Sequence, residues 1–143
     1  MSVLRTGFDA YARFFETIAP ETLHDLDALV TPDVRFTDPF NDIVGAAAYR
    51  GVYAHMFATL DDPRFVIRQK VLEGDVGFYR WDFTFRRKGK PEMHRITGAS
   101  EVHLAPDGRI ATHIDHWDAG QVYEKVPVLA ALIRLVKRRL AVG

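Results

Sequence analysis

The chain has 143 residues, 48% of them hydrophobic, 27% charged and 12% aromatic, with no cysteine and with nineteen basic side chains against nineteen acidic ones. This is the composition of one globular domain, and it excludes a disulfide framework, thiolate catalysis, cysteine-ligated zinc and iron–sulfur clusters. The balanced charge supplies no field that would draw in nucleic acid. It conceals a gradient, however: residues 1–62 carry ten acidic and four basic side chains, and residues 63–143 carry nine acidic and fifteen basic. Either the fold has two opposed faces, or its halves neutralise each other. Met1 to Arg5 open no secretory apolar run and no stretch reaches 18 apolar residues, so the expected compartment is the cytoplasm.

Phe8, Tyr11, Phe14, Phe15 and Ile18 recur at helical spacing, which predicts an amphipathic helix over 6–19 that Pro20 stops. A second, shorter helix is expected after Pro20, with Leu23, Leu26, Leu29 and Val30 as its buried stripe and Pro32 at its end. Val34 to Asp38 then reads as a brief strand broken at Pro39, and residues 38–42 have turn chemistry throughout. A third helix is predicted from Ala46 to Leu60 on the spacing of Tyr49, Tyr53, Met56, Phe57 and Leu60.

After Asp62-Pro63 the period changes to two. Phe65–Leu72 is strand-like, and Tyr79, Trp81, Phe83 and Phe85 alternate with Arg80, Asp82, Thr84 and Arg86. On the next strand Ile96, Gly98, Ser100, Val102 and Leu104 share one face. A final strand runs from Arg109 to Asp118 after the Pro106-Asp107-Gly108 turn. A last helix spans Pro127 to Leu140. Helices followed by strands indicate an α+β domain over residues 1–143, with 127–141 as an added amphipathic helix.

Two places carry candidate chemistry. His113, Asp115 and Trp117 alternate on one face of the last strand, so an imidazole, a carboxylate and an indole stand side by side. The pair reads either as an acid/base unit, the carboxylate setting the imidazole tautomer, or as a buried polar pair that satisfies itself. Asp38, flanked by Phe36 and Phe40, is either a carboxylate whose pKa is raised by apolar surroundings or a turn residue ahead of proline. His94 near this pair does not make metal-ligand spacing, so no metal is expected, and no phosphate loop or nucleophile elbow is present.

Three N-terminal helices, a strand ending Phe36-Thr37-Asp38-Pro39, a further helix and a four-stranded antiparallel sheet ending in His113-Ile114-Asp115-His116-Trp117-Asp118 resemble the nuclear transport factor 2-like superfamily. Within it the sequence is most similar to the SnoaL-like group. The resemblance covers about residues 5–120 and implies a curved antiparallel sheet wrapped as a cone around the N-terminal helices, with a mostly apolar pocket. It places Asp38 where ketosteroid isomerases keep a proton-shuttling aspartate. Their oxyanion-hole tyrosine falls on Phe14 and their protonated aspartic acid near Ser100. Phe14 has no hydroxyl and Ser100 is a weaker donor, and losing one such donor costs about 10²–10³-fold in rate, so an ordinary ketosteroid isomerase is not expected.

The resemblance also turns His113, Asp115 and Trp117 inward. The implied site has Asp38, His113 and Asp115 as catalytic groups, and Tyr11, Phe14, Tyr53, Phe57, Tyr79, Trp81, Ser100 and Trp117 as ligand-binding groups. The expected function is binding of a small apolar molecule, with cofactor-free isomerase, cyclase or hydratase chemistry or, alternatively, as a non-catalytic carrier or sensor. A third reading is an interaction module acting through the sheet or the last helix. The resemblance implies a homodimer. The last helix, with Leu129, Leu132, Ile133, Val136 and Leu140 opposite Arg134, Lys137, Arg138 and Arg139, is expected to pack on the body of the domain, with peripheral membrane contact as its alternative use.

Overall fold

In a computed structural model, which describes residues 2–143, helix α1 spans Val3–Glu16, capped by the Ser2 side chain accepting from the Arg5 amide at 3.0 Å. A 3₁₀ helix, Pro20–Asp25, runs into the single turn α2, Leu26–Leu29. The remaining elements are β1 (Val30–Thr37), β2 (Asp42–Val44), α3 (Ala46–Thr59), β3 (Leu60–Glu73), β4 (Val76–Arg87), β5 (Met93–Leu104), β6 (Ile110–His116), α4 (Gly120–Tyr123) and α5 (Pro127–Leu140). The fold is α+β, as expected, with six strands in one sheet in the order β2-β1-β6-β5-β4-β3.

Several boundaries differ from the sequence reading, each for a local reason. The second helix is mostly 3₁₀, and Val30 belongs to β1 instead of its stripe. Pro32 does not end a helix; it sits inside β1, where the pairing with β6 shifts register between Val30 and Arg35. Proline lacks an N–H, so it is tolerated where the ladder is already interrupted. β1 runs parallel to β6, pairing Phe36 with His113, while the other strand pairs are antiparallel. β3 starts five residues before Phe65 because Asp62, at φ 49°, makes an irregularity ahead of Pro63 that lets Leu60 and Asp61 pair with Arg87 and Arg86. The short β2 carries no period in the sequence, since three residues are too few to show one.

The alternation on β4 and β5 holds in space. Tyr79, Trp81, Phe85, Ile96, Ser100, Val102 and Leu104 are buried on the face covered by α1 and α3, and Phe8, Tyr11, Phe15, Tyr49 and Phe36 complete that core. Burying an aromatic side chain contributes roughly 1.5–3 kcal/mol, so this layer dominates stability. On the other face the Asp82 carboxylate accepts from Arg68 at 2.7 Å and Arg95 at 2.9 Å, and the Arg68 bond foremost holds it below the usual carboxylate range. The charge gradient is partly closed within the molecule: Lys70 pairs with Asp9 at 3.1 Å, Arg86 with Asp62 and Lys88 with Asp61 at 3.8 Å.

Candidate functional site

The sheet register assembles the site. Tyr79, Ser100 and Asp115 are cross-strand neighbours on β4, β5 and β6, and the next row is Gly77, Val102, His113 and Phe36. Neighbours in a row point to one face, so two rows bring the phenol, the hydroxyl, the carboxylate and the imidazole together beneath α1 and α3. Gly98 makes room for both tryptophans: a Cβ there would lie 2.8 Å from both Trp117 Cβ and Trp81 Cη2.

A hydrogen-bonded chain crosses this floor. The Trp81 indole N–H donates to Ser100 Oγ at 2.9 Å, Ser100 Oγ donates to Asp115 Oδ1 at 2.6 Å, and His113 Nε2 lies 2.6 Å from the same oxygen. A carboxylate only accepts, so the proton of this contact sits on Nε2, and in the neutral imidazole Nδ1 is then an acceptor. Tyr11 Oη is 2.7 Å from Nδ1 and Tyr49 Oη 3.1 Å. With Tyr11 donating to Nδ1, Tyr49 donates to Tyr11, and Tyr53 donates to Tyr49 at 2.9 Å.

The tyrosine pKa values are shifted in the direction burial dictates. Desolvation, foremost, raises Tyr11, Tyr49 and Tyr53 well above the ordinary phenol value; neighbouring phenols and the nearby Asp115 charge add to it. Tyr79 is raised as well, mainly by burial, and its hydroxyl donates to the Phe8 carbonyl at 2.6 Å. Four of the five tyrosines therefore stay protonated in the folded state at alkaline pH. Because the unfolded chain releases these protons above pH 10 and the folded chain holds them, stability is full below about pH 10 and falls as pH rises beyond it. Absorbance at 295 nm should show at most one tyrosinate until the chain unfolds; four ionising without loss of structure would contradict this burial.

Above this floor opens a cavity of about 550 Å³, in the range of small-molecule sites, with mainly apolar walls that include Phe36, Phe40, Met56, Phe65, Phe83 and Trp117. A small inner recess shares Tyr53, Phe65, Trp81 and Asp115 with it and reaches Tyr79, Ser100 and His113. Both hydrogen bonds to Asp115 fall on Oδ1, so among the described residues Oδ2 has no partner, and Asp115 lines both spaces. Asp38 also lines the cavity, but its oxygens hold the turn. Oδ1 accepts from the Phe40 and Asn41 amides, each at 2.7 Å, and the Asn41 side-chain amide donates to both oxygens, at 3.0 and 3.2 Å.

The structure thus brings Asp38, His113, Asp115, Tyr53, Tyr79, Trp81, Ser100 and Trp117 to the cavity or its recess. It does not bring Phe14, which packs edge-on against Phe15 in the core at 5.2 Å, nor Phe57, which is half-buried off the lining. Tyr11 lies under the floor, fully buried, and reaches the site through His113 and, by way of Tyr49, through Tyr53. Helical spacing marks such residues as buried but cannot separate a core wall from a cavity wall. Tyr49, which helical spacing marks only as a buried residue of α3, is part of this network. Its signal was the Tyr49/Tyr53 pair four residues apart on a buried stripe, since buried phenols need partners.

Residues 11–113 match the model of the SnoaL-like domain family. Among solved structures, the chain is similar to a putative SnoaL-like polyketide cyclase from Jannaschia sp. CCS1, at 16% identity over 87% of this chain and 93% of that one, with a TM-score of 0.76. It is also similar to an LEH-like epoxide hydrolase from M. tuberculosis, at 14% identity over 100% and 99% of the two chains, TM-score 0.73. A third is a protein of ketosteroid isomerase-like fold from Catenulispora acidiphila, solved in complex with trimethylamine, at 17% identity over 85% and 92%, TM-score 0.70. At these identities the likeness is one of fold. No curated protein sequence matches the chain significantly.

Proposed function

The chain belongs to the SnoaL-like domain family, and on that premise we propose that its cone binds a small, largely apolar molecule and moves a proton on it without a cofactor. Asp115 is the base, and His113 and Ser100 position it. The observation that carries this reading is that Asp115, which lines both the apolar cavity and its recess, takes both hydrogen bonds on Oδ1, leaving Oδ2 without a partner among the described residues. An oriented carboxylate beside apolar walls is suited to proton abstraction next to a carbonyl, or to activating water, the steps shared by isomerisation, cyclisation and hydration. Tyr53 beside it is a neutral hydroxyl on the same wall whose proton is held by Tyr49, so toward a ligand it offers its oxygen as an acceptor. Asp38, tied into its turn, shapes the wall.

The test uses 2-tetralone, an apolar ketone with acidic α-hydrogens, incubated with the protein in D₂O and followed by NMR. Exchange at the α-carbon above the buffer rate is expected, lost at least tenfold in Asp115→Asn and retained in Asp38→Asn. Exchange that survives Asp115→Asn would remove Asp115 from the role. The completeness of the Tyr–His–Asp–Ser–Trp chain also suits a carrier, whose polar groups need only each other. Saturable binding of 2-tetralone without any exchange would assign that reading.

A further inference from the structure

We propose that α5 is an interfacial helix that lies on bilayers containing anionic phospholipid and holds the mouth of the cavity at the headgroup level. The argument begins with what α5 leaves uncovered. It packs beside α4 with Ala130 buried, Ile133 half-buried and Lys137 paired to Glu124. Of the stripe expected to pack on the body, Leu129, Leu132, Val136 and Leu140 do not; with Val128 and Leu135 they are 41–83% exposed. At about 100° per residue these six fall on one arc of roughly 140°, a far wider apolar surface than single exposed hydrophobic residues leave on a water-facing helix.

Charge identifies the occupant. α5 contains no acidic residue and four cations: Arg138 and the Glu124-paired Lys137 lie about 60° beyond the two edges of the apolar arc, Arg139 lies within it, and Arg134 stands on the opposite side. A long arginine inside an apolar arc extends its guanidinium to a phosphate layer while its stem stays in the apolar zone. An apolar arc bordered by cations matches the layered chemistry of an anionic bilayer surface, lipid chains below and phosphates at the rim. Nucleic acid offers the phosphates but nothing for the leucines.

The second half of the proposal follows from connectivity. Val122, Lys125 and Val126 line the cavity, and Val126 is the residue immediately before Pro127, where α5 begins. A helix lying on the bilayer therefore keeps that edge of the mouth at its surface. That an apolar ligand then passes between bilayer and cavity rests on the function proposed above; the docking itself does not.

The absence of cysteine makes a single-label experiment clean. The environment-sensitive fluorophore NBD is attached to Leu132→Cys, Val126→Cys or Asp75→Cys in the full chain. Asp75 lies in the turn at the far end of the β3–β4 hairpin from the mouth. With vesicles of phosphatidylcholine and phosphatidylglycerol, labels at 132 and 126 are expected to shift to the blue and the label at 75 to stay unchanged. Sedimentation should be at least tenfold stronger with these vesicles than with phosphatidylcholine alone, since each cation near an anionic surface strengthens binding about fivefold, and should weaken as salt rises.

The double substitution Leu132→Glu with Val136→Glu alters two exposed side chains, so the fold should persist by circular dichroism while vesicle binding falls at least tenfold. No sedimentation with anionic vesicles, or binding indifferent to the double substitution, would overturn the docking. So would a dimer in analytical ultracentrifugation that the same substitutions dissolve, with no vesicle binding, because a second copy would then cover the arc. A shift at 132 without one at 126 would overturn the placement of the mouth. None of these readouts uses a cavity ligand, so failure of the docking and failure of the cavity reading are told apart.

Discussion

Asp115→Ala is expected to lower the free energy of unfolding by about 2–5 kcal/mol, measured by urea titration of the free protein. The substitution removes the acceptor shared by His113 Nε2 and Ser100 Oγ, and a buried donor left without a partner costs about 1–3 kcal/mol. Asp115→Asn keeps one carbonyl oxygen for the same two donors and should cost about 1 kcal/mol or less. The contrast separates two contributions of one residue, since the asparagine variant loses the base while the alanine variant also loses the floor of the site. Tryptophan emission adds a local readout, because the Trp81 indole donates to the same serine. An alanine variant as stable as the parent would mean that these contacts carry no folding energy.

Gly7→Ala should destabilise the protein, although helix propensity alone forecasts a gain of roughly 0.5–1 kcal/mol for replacing a glycine inside a helix. Gly7 lies in the second turn of α1, and a Cβ there would stand 1.9 Å from the carbonyl oxygen of Gly108. That oxygen belongs to the turn between β5 and β6, where Gly108 itself has φ 89° and its own missing Cβ would lie 2.6 Å from the Val3 carbonyl oxygen. Helix and turn thus meet backbone to backbone, with no flexible side chain to yield. Forcing them apart costs about 1–3 kcal/mol, a fall in melting temperature of roughly 3–12 °C for a chain of this size. A raised melting temperature would show that α1 can slide away from the turn without loss.

The elements most legible in the sequence were those whose packing repeats a period along the chain. α3 and α5 lie within a residue of their expected bounds, and the inward faces of β4 and β5 follow the alternation of Tyr79 to Phe85 and Ile96 to Leu104. Features set by partners distant in sequence were not legible. The parallel pairing of β1 with β6 depends on which edge of β6 is free once β5 has taken the other, and no residue of Val30–Thr37 encodes that choice alone. The stripe on α5 shows the same limit. Its amphipathic spacing was correct, but spacing defines a face without saying what the face meets.

The site divides along the same line. Period two placed His113, Asp115 and Trp117 on one side of a strand, and the family pattern turned that side inward. Composition excluded cysteine chemistry and supplied enough aromatic surface to line a pocket. What only the tertiary structure decided is how the polar groups are spent. Asp38 and Asp115 looked alike as carboxylates among aromatics, yet the oxygens of Asp38 are drawn into a local turn by Phe40 and Asn41. Asp115 keeps one oxygen without a partner among the described residues because its neighbours, Ser100 across the strand and His113 two residues away, both bond to the other. The sequence determines which side chains share a face. Strand register and helix docking determine which of their atoms are left unpaired, because hydrogen bonds are satisfied by whatever the fold brings within 3 Å and not by order along the chain.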